Sequence, residues 1–183
     1  MRQLKTTIAL TLCFAGASLY AQTQVKMTFS GTGGASTIDL KQSGTSNTEE
    51  DVAGHGSLGQ FTFRGIRAAG MVPGTSPTCP GLYFASVSGA GVFRFNDGSV
   101  LMVTLTDGGD CIDLVQNTGG CVLNFTITGG TGRFKNASGD LTYTESGVPV
   151  LSDALDNPVF FLETGKITGT ISRIAAEPPQ DEG

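Results

Sequence analysis

Glu145 and Glu163 are the residues of this chain whose types and positions best suit chemistry. Strand alternation puts Glu145 on the face of Leu141 and Tyr143, and Glu163 on the face of Val159 and Phe161. On an apolar inner face, desolvation would raise the pKa of each carboxyl, fitting it to orient a ligand or transfer a proton. The weightier expectation is the plainer one, that both end their strands in water. Unpaired charges are seldom buried, and a slip of one residue reverses the two faces of a strand. His55, the only histidine, is a third candidate for acid–base work. It lies in Ala53-Gly54-His55-Gly56, where the glycines favour a structural turn, and neither a nucleophile nor an orienting acid is fixed beside it.

The cysteines point to oxidation. Cys13 lies in the apolar N-terminal stretch, leaving Cys79, Cys111 and Cys121. In an exported chain a disulfide is expected. Cys111 and Cys121 bracket the turn-like Asn117-Thr118-Gly119-Gly120, so a bridge between them at the base of a hairpin is the first choice, with Cys79 as the alternative partner of either. Closing so short a loop would add about 2–3 kcal/mol. Three cysteines and His55 match the ligand count of a zinc site, but none of the spacings is C-x-x-C, and no metal is expected. Asp107, Asp110 and Asp113 lack the Asp-x-Asp-x-Asp-Gly pattern of a calcium loop and read as solvated loop acids.

Residues 127–139 read Ile-Thr-Gly-Gly-Thr-Gly-Arg-Phe-Lys-Asn-Ala-Ser-Gly. Gly129, Gly130, Gly132 and Arg133 have the composition of a phosphate loop. The Lys-Ser/Thr ending is missing, however, and Gly139-Asp140-Leu141-Thr142 leads into a strand and not a helix, so no nucleotide cofactor is expected. The glycines then serve a turn, with Phe134 plugging the core. The same run resembles the glycine-rich signature of the allene oxide cyclase-like and dirigent-like barrel superfamily, especially its secreted bacterial members. That resemblance implies a compact antiparallel β-barrel of about eight strands, a size that just holds one small ligand. In dirigent proteins the signature continues Ala-Arg-Gly. Here the triplet is Ala137-Ser138-Gly139, so no role of that arginine carries over.

The elements agree with an all-β chain. Cys121, Leu123, Phe125 and Ile127 alternate with polar neighbours, as do Phe61 and Phe63, Phe93 and Phe95, and Leu101, Val103 and Leu105. Asn96-Asp97-Gly98-Ser99 supplies a hairpin turn between two of these runs. Further strands are expected at 25–30, 38–41, 82–87, 141–144, 159–163 and 166–173, while 45–51 and 69–81 read as surface loops. By the same parity Arg64 and Arg94 face outward, and an inward Arg173 would pair with Glu163. The strands are mostly shorter than the ~9–11 residues of a transmembrane barrel and tryptophan is absent, so no membrane span is expected.

Arg2 and Lys5 precede an apolar stretch at 8–19, followed by small residues, the pattern of a secretory signal peptide over 1–21. Cleavage after Ala21 is favoured, with Ala17 as the alternative. The rest divides into a barrel domain at 22–174 and an acidic tail at 175–183, in a secreted or periplasmic protein. The formal charge of −5 becomes −7 without Arg2 and Lys5, and with the arginines scattered this argues against nucleic acid. Glycine supplies 27 of 183 residues, about double its usual share, which means many turns. The leading functional expectation is non-catalytic binding of a small hydrophobic molecule inside the barrel, by Phe61, Phe63, Phe93, Phe95, Phe125, Tyr143 and Phe161. The alternatives are an enzyme of lyase, isomerase or cyclase type that guides a reactive substrate, and a structural or surface-interaction protein, including a homo-oligomer.

Overall fold

The computed structural model describes residues 22–36, 43–116 and 118–175. The expected signal peptide, the expected strand at 38–41 and all of the expected tail but Ala175 lie outside them. Nine strands follow in order: β1 (Thr23–Ser36), β2 (Thr45–Gly56), β3 (Gly59–Gly70), β4 (Gly74–Ser76), β5 (Cys79–Phe95), β6 (Val100–Asp113), β7 (Thr118–Gly130), β8 (Ser138–Ser152) and β9 (Pro158–Ser172). A single 3-10 turn, Gly132–Phe134, separates β7 from β8. Each strand pairs antiparallel with its neighbour, β9 returns to β1, and β3 pairs with β5. The result is a closed up-and-down barrel of eight strands, with the three-residue β4 forming a small hairpin on the start of β5.

Two segments expected to be loops are largely strand. Residues 45–51 open β2 and pair with both β1 and β3. Their polar composition hides the strand because Asn47, Glu49 and Asp51 face solvent while the inward positions are also polar. Of 69–81, the ends belong to β3 and β5 and the middle to β4.

The interior is packed with aromatic rings towards one end. Phe61, Phe63, Phe93, Phe95, Phe125 and Tyr143 are all buried. Phe63 and Phe93 have centroids 4.5 Å apart, and Phe29 stacks on Tyr143 at 4.5 Å. So narrow a barrel holds these rings only because small residues face them: a methyl group at Gly165 would overlap the Phe29 ring.

The glycine-dense run 129–139 closes this end. Gly132 takes φ +57°, a left-handed conformation that glycine adopts without strain, and the turn drives Phe134 to 0 % exposure inside the barrel. The Arg133 guanidinium lies 5.0 Å from the Phe95 centroid and 4.6 Å from that of Phe134. It donates to the Leu58 carbonyl at 2.6 Å and stands 3.0 Å from the Asp97 carboxylate, tying three turns together. Removing the plug should cost what a large buried aromatic is worth: Phe134→Ala is expected to lower the unfolding free energy by about 3–5 kcal/mol in a denaturant titration.

Candidate functional site

Two register shifts shape the other end of the barrel. In β5, Phe93 and Phe95 point inward; opposite Ala68 and Ala69 of β3 the strand carries one extra residue, the exposed Val87. Beyond it Phe84 and Leu82 face the interior. In β6, Leu101 and Val103 point inward; the ladder to β7 shifts between Leu105 and Asp107, and beyond that point Asp110 and Ile112 turn inward instead of Cys111. One extra residue on a strand reverses every side chain that follows it.

This geometry corrects the expected disulfide. Asp110 sits opposite Cys121, and Cys111 opposite Gly120, so the Cys111 and Cys121 side chains leave opposite faces of the sheet and cannot meet. Cys111 bonds instead to Cys79, at a Cα separation of 5.5 Å, pinning the start of β5 to the outside of β6. Cys121 is a buried free thiol.

Arg67 organises the inward polar residues. It is 5 % exposed, and its Nε donates to Glu50 at 2.8 Å. Its two terminal nitrogens grip Asp110 at 2.5 and 2.6 Å in a two-pronged fork. Burial pushes Glu50 above the usual carboxylate range despite the attraction of Arg67. Burial is the largest single influence on the guanidinium and would loosen its proton, but the charge and hydrogen bonds of Asp110 together with the Glu50 charge overcome it, so the proton is held more tightly than usual.

Glu145 and Glu163 complete the cluster. Glu145 lies across from Cys121, whose thiol is 3.6 Å from its Oε2. In the β8–β9 ladder Glu145 opposes Gly165 and Glu163 opposes Gly147, so the two carboxyls are diagonal neighbours on the inner face. A methyl group at Gly33 of β1 would overlap the Glu163 carboxylate, so glycine is what admits it. Glu163 is 4 % exposed and its Oε2 has no hydrogen-bond partner among the described residues; the buried Tyr143 hydroxyl also has none. Burial, reinforced by the Glu50 charge, raises Glu145 to about 7. Burial and the Glu145 charge raise Glu163 to about 8. The Cys121 thiol and the Tyr143 hydroxyl are both held protonated by burial and by Glu145.

These groups face a cavity of about 290 Å³ that opens at this end of the barrel. Its walls are mainly apolar, from Leu82, Phe84, Ile112, Leu114, Pro149 and Phe161, while Arg67, Asp110, Asp113, Glu145 and Glu163 supply its charges and Ser46, Thr48 and Thr118 its hydroxyls. Both glutamates singled out from the sequence therefore line one cavity and do not end their strands in water. His55 does not join them: it is exposed, opposite Thr28 and Gln60, beside the β2–β3 turn at the closed end. Arg173 follows the end of β9, ten residues beyond Glu163 and thus at the closed end too. Of the seven aromatic residues expected to touch a ligand, Phe161 lines the cavity and the other six are packed in the core beneath it.

Arg67, Glu50 and Asp110 were not anticipated. Arg67 had a legible signal, since it continues the parity of Phe61 and Phe63 along β3. Glu50 was concealed in a segment read as loop, and Asp110 behind a bulge that no pattern announces.

No family model matches the chain, and no curated protein matches it. Fold and site together define a closed eight-stranded antiparallel barrel, filled by aromatics at one end and open to a cavity lined by carboxyls at the other. The disulfide fits an oxidising compartment, and among the described residues no helix is long and apolar enough to cross a membrane.

The raised carboxyls carry a stability signature. A glutamate whose folded pKa exceeds its unfolded value binds more protons when folded, so its favourable contribution is complete below the unfolded value of about 4.3 and is lost as pH climbs to the folded one. Glu163→Gln should therefore melt close to the parent near pH 4. By about pH 8.5 it should be the more stable protein by of order 1 kcal/mol or more, one pKa step being about 1.4 kcal/mol. Thermal melts across that range read the difference.

Proposed function

We propose that this barrel works outside the cytoplasm as a binding protein for one small, largely apolar molecule held in the cavity at its open end. The observation that carries this reading is the cavity itself: about 290 Å³ of space above a fully packed aromatic core, walled by Leu82, Phe84, Ile112 and Phe161. An empty space of that size in so small a barrel is at the lower end of ligand pockets, which run to about 300–1,000 Å³. The Cys79–Cys111 bridge supports an extracytoplasmic setting, because such bonds persist where thiols are not kept reduced. The glycine-rich run, now seen to close an eight-stranded barrel, supports membership of the allene oxide cyclase-like superfamily in its secreted bacterial branch.

One observation favours the enzymatic reading as an alternative. Glu145 and Glu163, at about 7 and about 8, would be poised to exchange protons at neutral pH within a water-poor site, as a lyase, isomerase or cyclase requires. A ligand recovered from the natively purified protein should, on this reading, change its chromatographic position after incubation with fresh protein; an unchanged ligand counts against it.

The binding reading has a direct test. Gly119 lines the cavity and a Cβ there would meet nothing within 4 Å, so Gly119→Phe can start into open space and should fill the cavity with its ring. The neutral fluorophore N-phenyl-1-naphthylamine should bind the parent with enhanced emission and bind Gly119→Phe at least about tenfold more weakly. Equal emission from the two, with equal melting temperatures, would mean that the cavity is not where apolar molecules go.

A further inference from the structure

We propose that the molecule held in the cavity is a cationic amphiphile, an organic ammonium whose apolar body lies against the Leu82, Phe84, Ile112 and Phe161 walls and whose charged head sits on Glu145 and Glu163. This inference rests on the binding reading and names the chemistry of its ligand.

The argument begins with the charges that face the cavity. Four carboxyls line it, Asp110 and Asp113 from β6, Glu145 from β8 and Glu163 from β9, with Glu50 of β2 buried behind them on Arg67. Among the described residues Arg67 is the only basic one in the cavity lining, and its Nε and each terminal nitrogen donate to Glu50 or Asp110. The other strands around the pair present Gly33 and Ala35 of β1, Gly119, Gly120 and Cys121 of β7, and Tyr143 and Gly147 of β8, none of which is a cation. Half-buried Glu145 and buried Glu163 thus have no ion-pair partner among the described residues, where Arg67 acts on them only from a distance. Glu163 is 4 % exposed, and its Oε2 has no hydrogen-bond partner among those residues.

A buried carboxylate is stable when it is paired with a cation or when it carries a proton. Within the protein itself burial favours the second course for both groups, raising Glu145 to about 7 and Glu163 to about 8. An ammonium entering the cavity offers the first. Its charge offsets that of the carboxylates, a primary ammonium adds up to three N–H donors for oxygens such as Glu163 Oε2, and the pair gives up a proton to bulk water as the cation arrives. A neutral ligand brings no such compensation, and an anion adds repulsion to a cluster that is already acidic. A hydrated metal ion is disfavoured by the apolar walls, and no group of metal-ligating residues with suitable geometry occurs among the described residues. The acidic balance of the chain, −5 overall, also raises the local concentration of cations.

The sign of the pH dependence follows. Both carboxyls are protonated well below 7 and both are ionised well above 8, so affinity for an ammonium rises as pH passes through that interval. A primary amine loses its own proton only near about 10.4, and a quaternary ammonium never does.

Isothermal titration calorimetry on the disulfide-bonded protein decides the matter with four probes of one chain length: n-octylammonium, octyltrimethylammonium, n-octanol and octanoate. At about pH 8.5 octylammonium and its trimethyl analogue are expected to bind at least about tenfold more tightly than octanol, and octanoate the weakest of all. Near pH 5.5 that advantage should shrink to about threefold or less, and the heat of binding should depend on the ionisation heat of the buffer at neutral pH, reporting proton release. Glu163→Gln and Glu145→Gln, each checked by its melting curve, should bind octanol as the parent does and lose most of the preference for the ammonium. Equal affinity for octanol and octylammonium at about pH 8.5, a preference for octanoate, or an ammonium preference untouched by either substitution would overturn the amine assignment while leaving the cavity as an apolar site. Failure of all four probes to bind would overturn both.

Discussion

The arrangement at the open end depends on one guanidinium. Arg67 reaches inward from β3, donates from its Nε to Glu50 of the neighbouring β2, and grips Asp110 of β6 with its fork. Strand β5 lies between β3 and β6, so the fork spans the inside of an intervening strand. Gly89 of β5 makes room for it, since a methyl group there would come within 2.8 Å of Arg67 Cβ. Three charges withdrawn from water in this way are stable only as a set. Removing one member of such a buried network leaves its partners uncompensated, at a cost of about 3–5 kcal/mol. Because the arginine is ion-paired with Glu50 and Asp110 and with neither Glu145 nor Glu163, those two glutamates need other means of stabilisation, and the chemistry of the cavity follows from that shortage.

The two ends of the barrel solve opposite problems with the same wall. An eight-stranded barrel is just wide enough to be filled by side chains. At the closed end the filling is aromatic, and the glycine-dense turn after β7 seats Phe134 while Arg133 ties down the adjoining hairpins. At the open end, bulges in β5 and β6 reverse the strand faces, bringing Phe84, Asp110 and Ile112 inward and sending Cys111 outward to its disulfide. The packed half supplies rigidity, and the half with mixed polarity retains space. A rigid, pre-formed cavity lets buried polar groups stay oriented without a ligand to order them.

The sequence made the strands visible where their faces differ in polarity. The alternation of Cys121, Leu123, Phe125 and Ile127 announces β7, and Leu141, Tyr143 and Glu145 correctly share the inner face of β8. The first half of β2 escaped because its inward residues are polar too, Ser46, Thr48 and Glu50, so no apolar period marks it. Asp110 escaped for a different reason. Parity counted from Leu101 and Val103 holds only as far as Leu105, and the shift beyond it leaves no trace in residue type. The same bulge sets which cysteines can pair. The aromatic residues were legible as inward but not as filled space, because whether facing rings meet or leave a gap depends on register around the whole barrel.

The central claim is that half-buried Glu145 and buried Glu163 share the cavity without an ion-pair partner among the described residues. Carbon-13 NMR of the glutamate side-chain carboxyls, followed from about pH 3 to 10, reads it directly. The account predicts two resonances that titrate near 7 and near 8, one disappearing in Glu145→Gln and the other in Glu163→Gln. If both resonances titrate with the exposed glutamates near about 4.3, the carboxyls are already hydrated or paired, and the account of this cavity is contradicted.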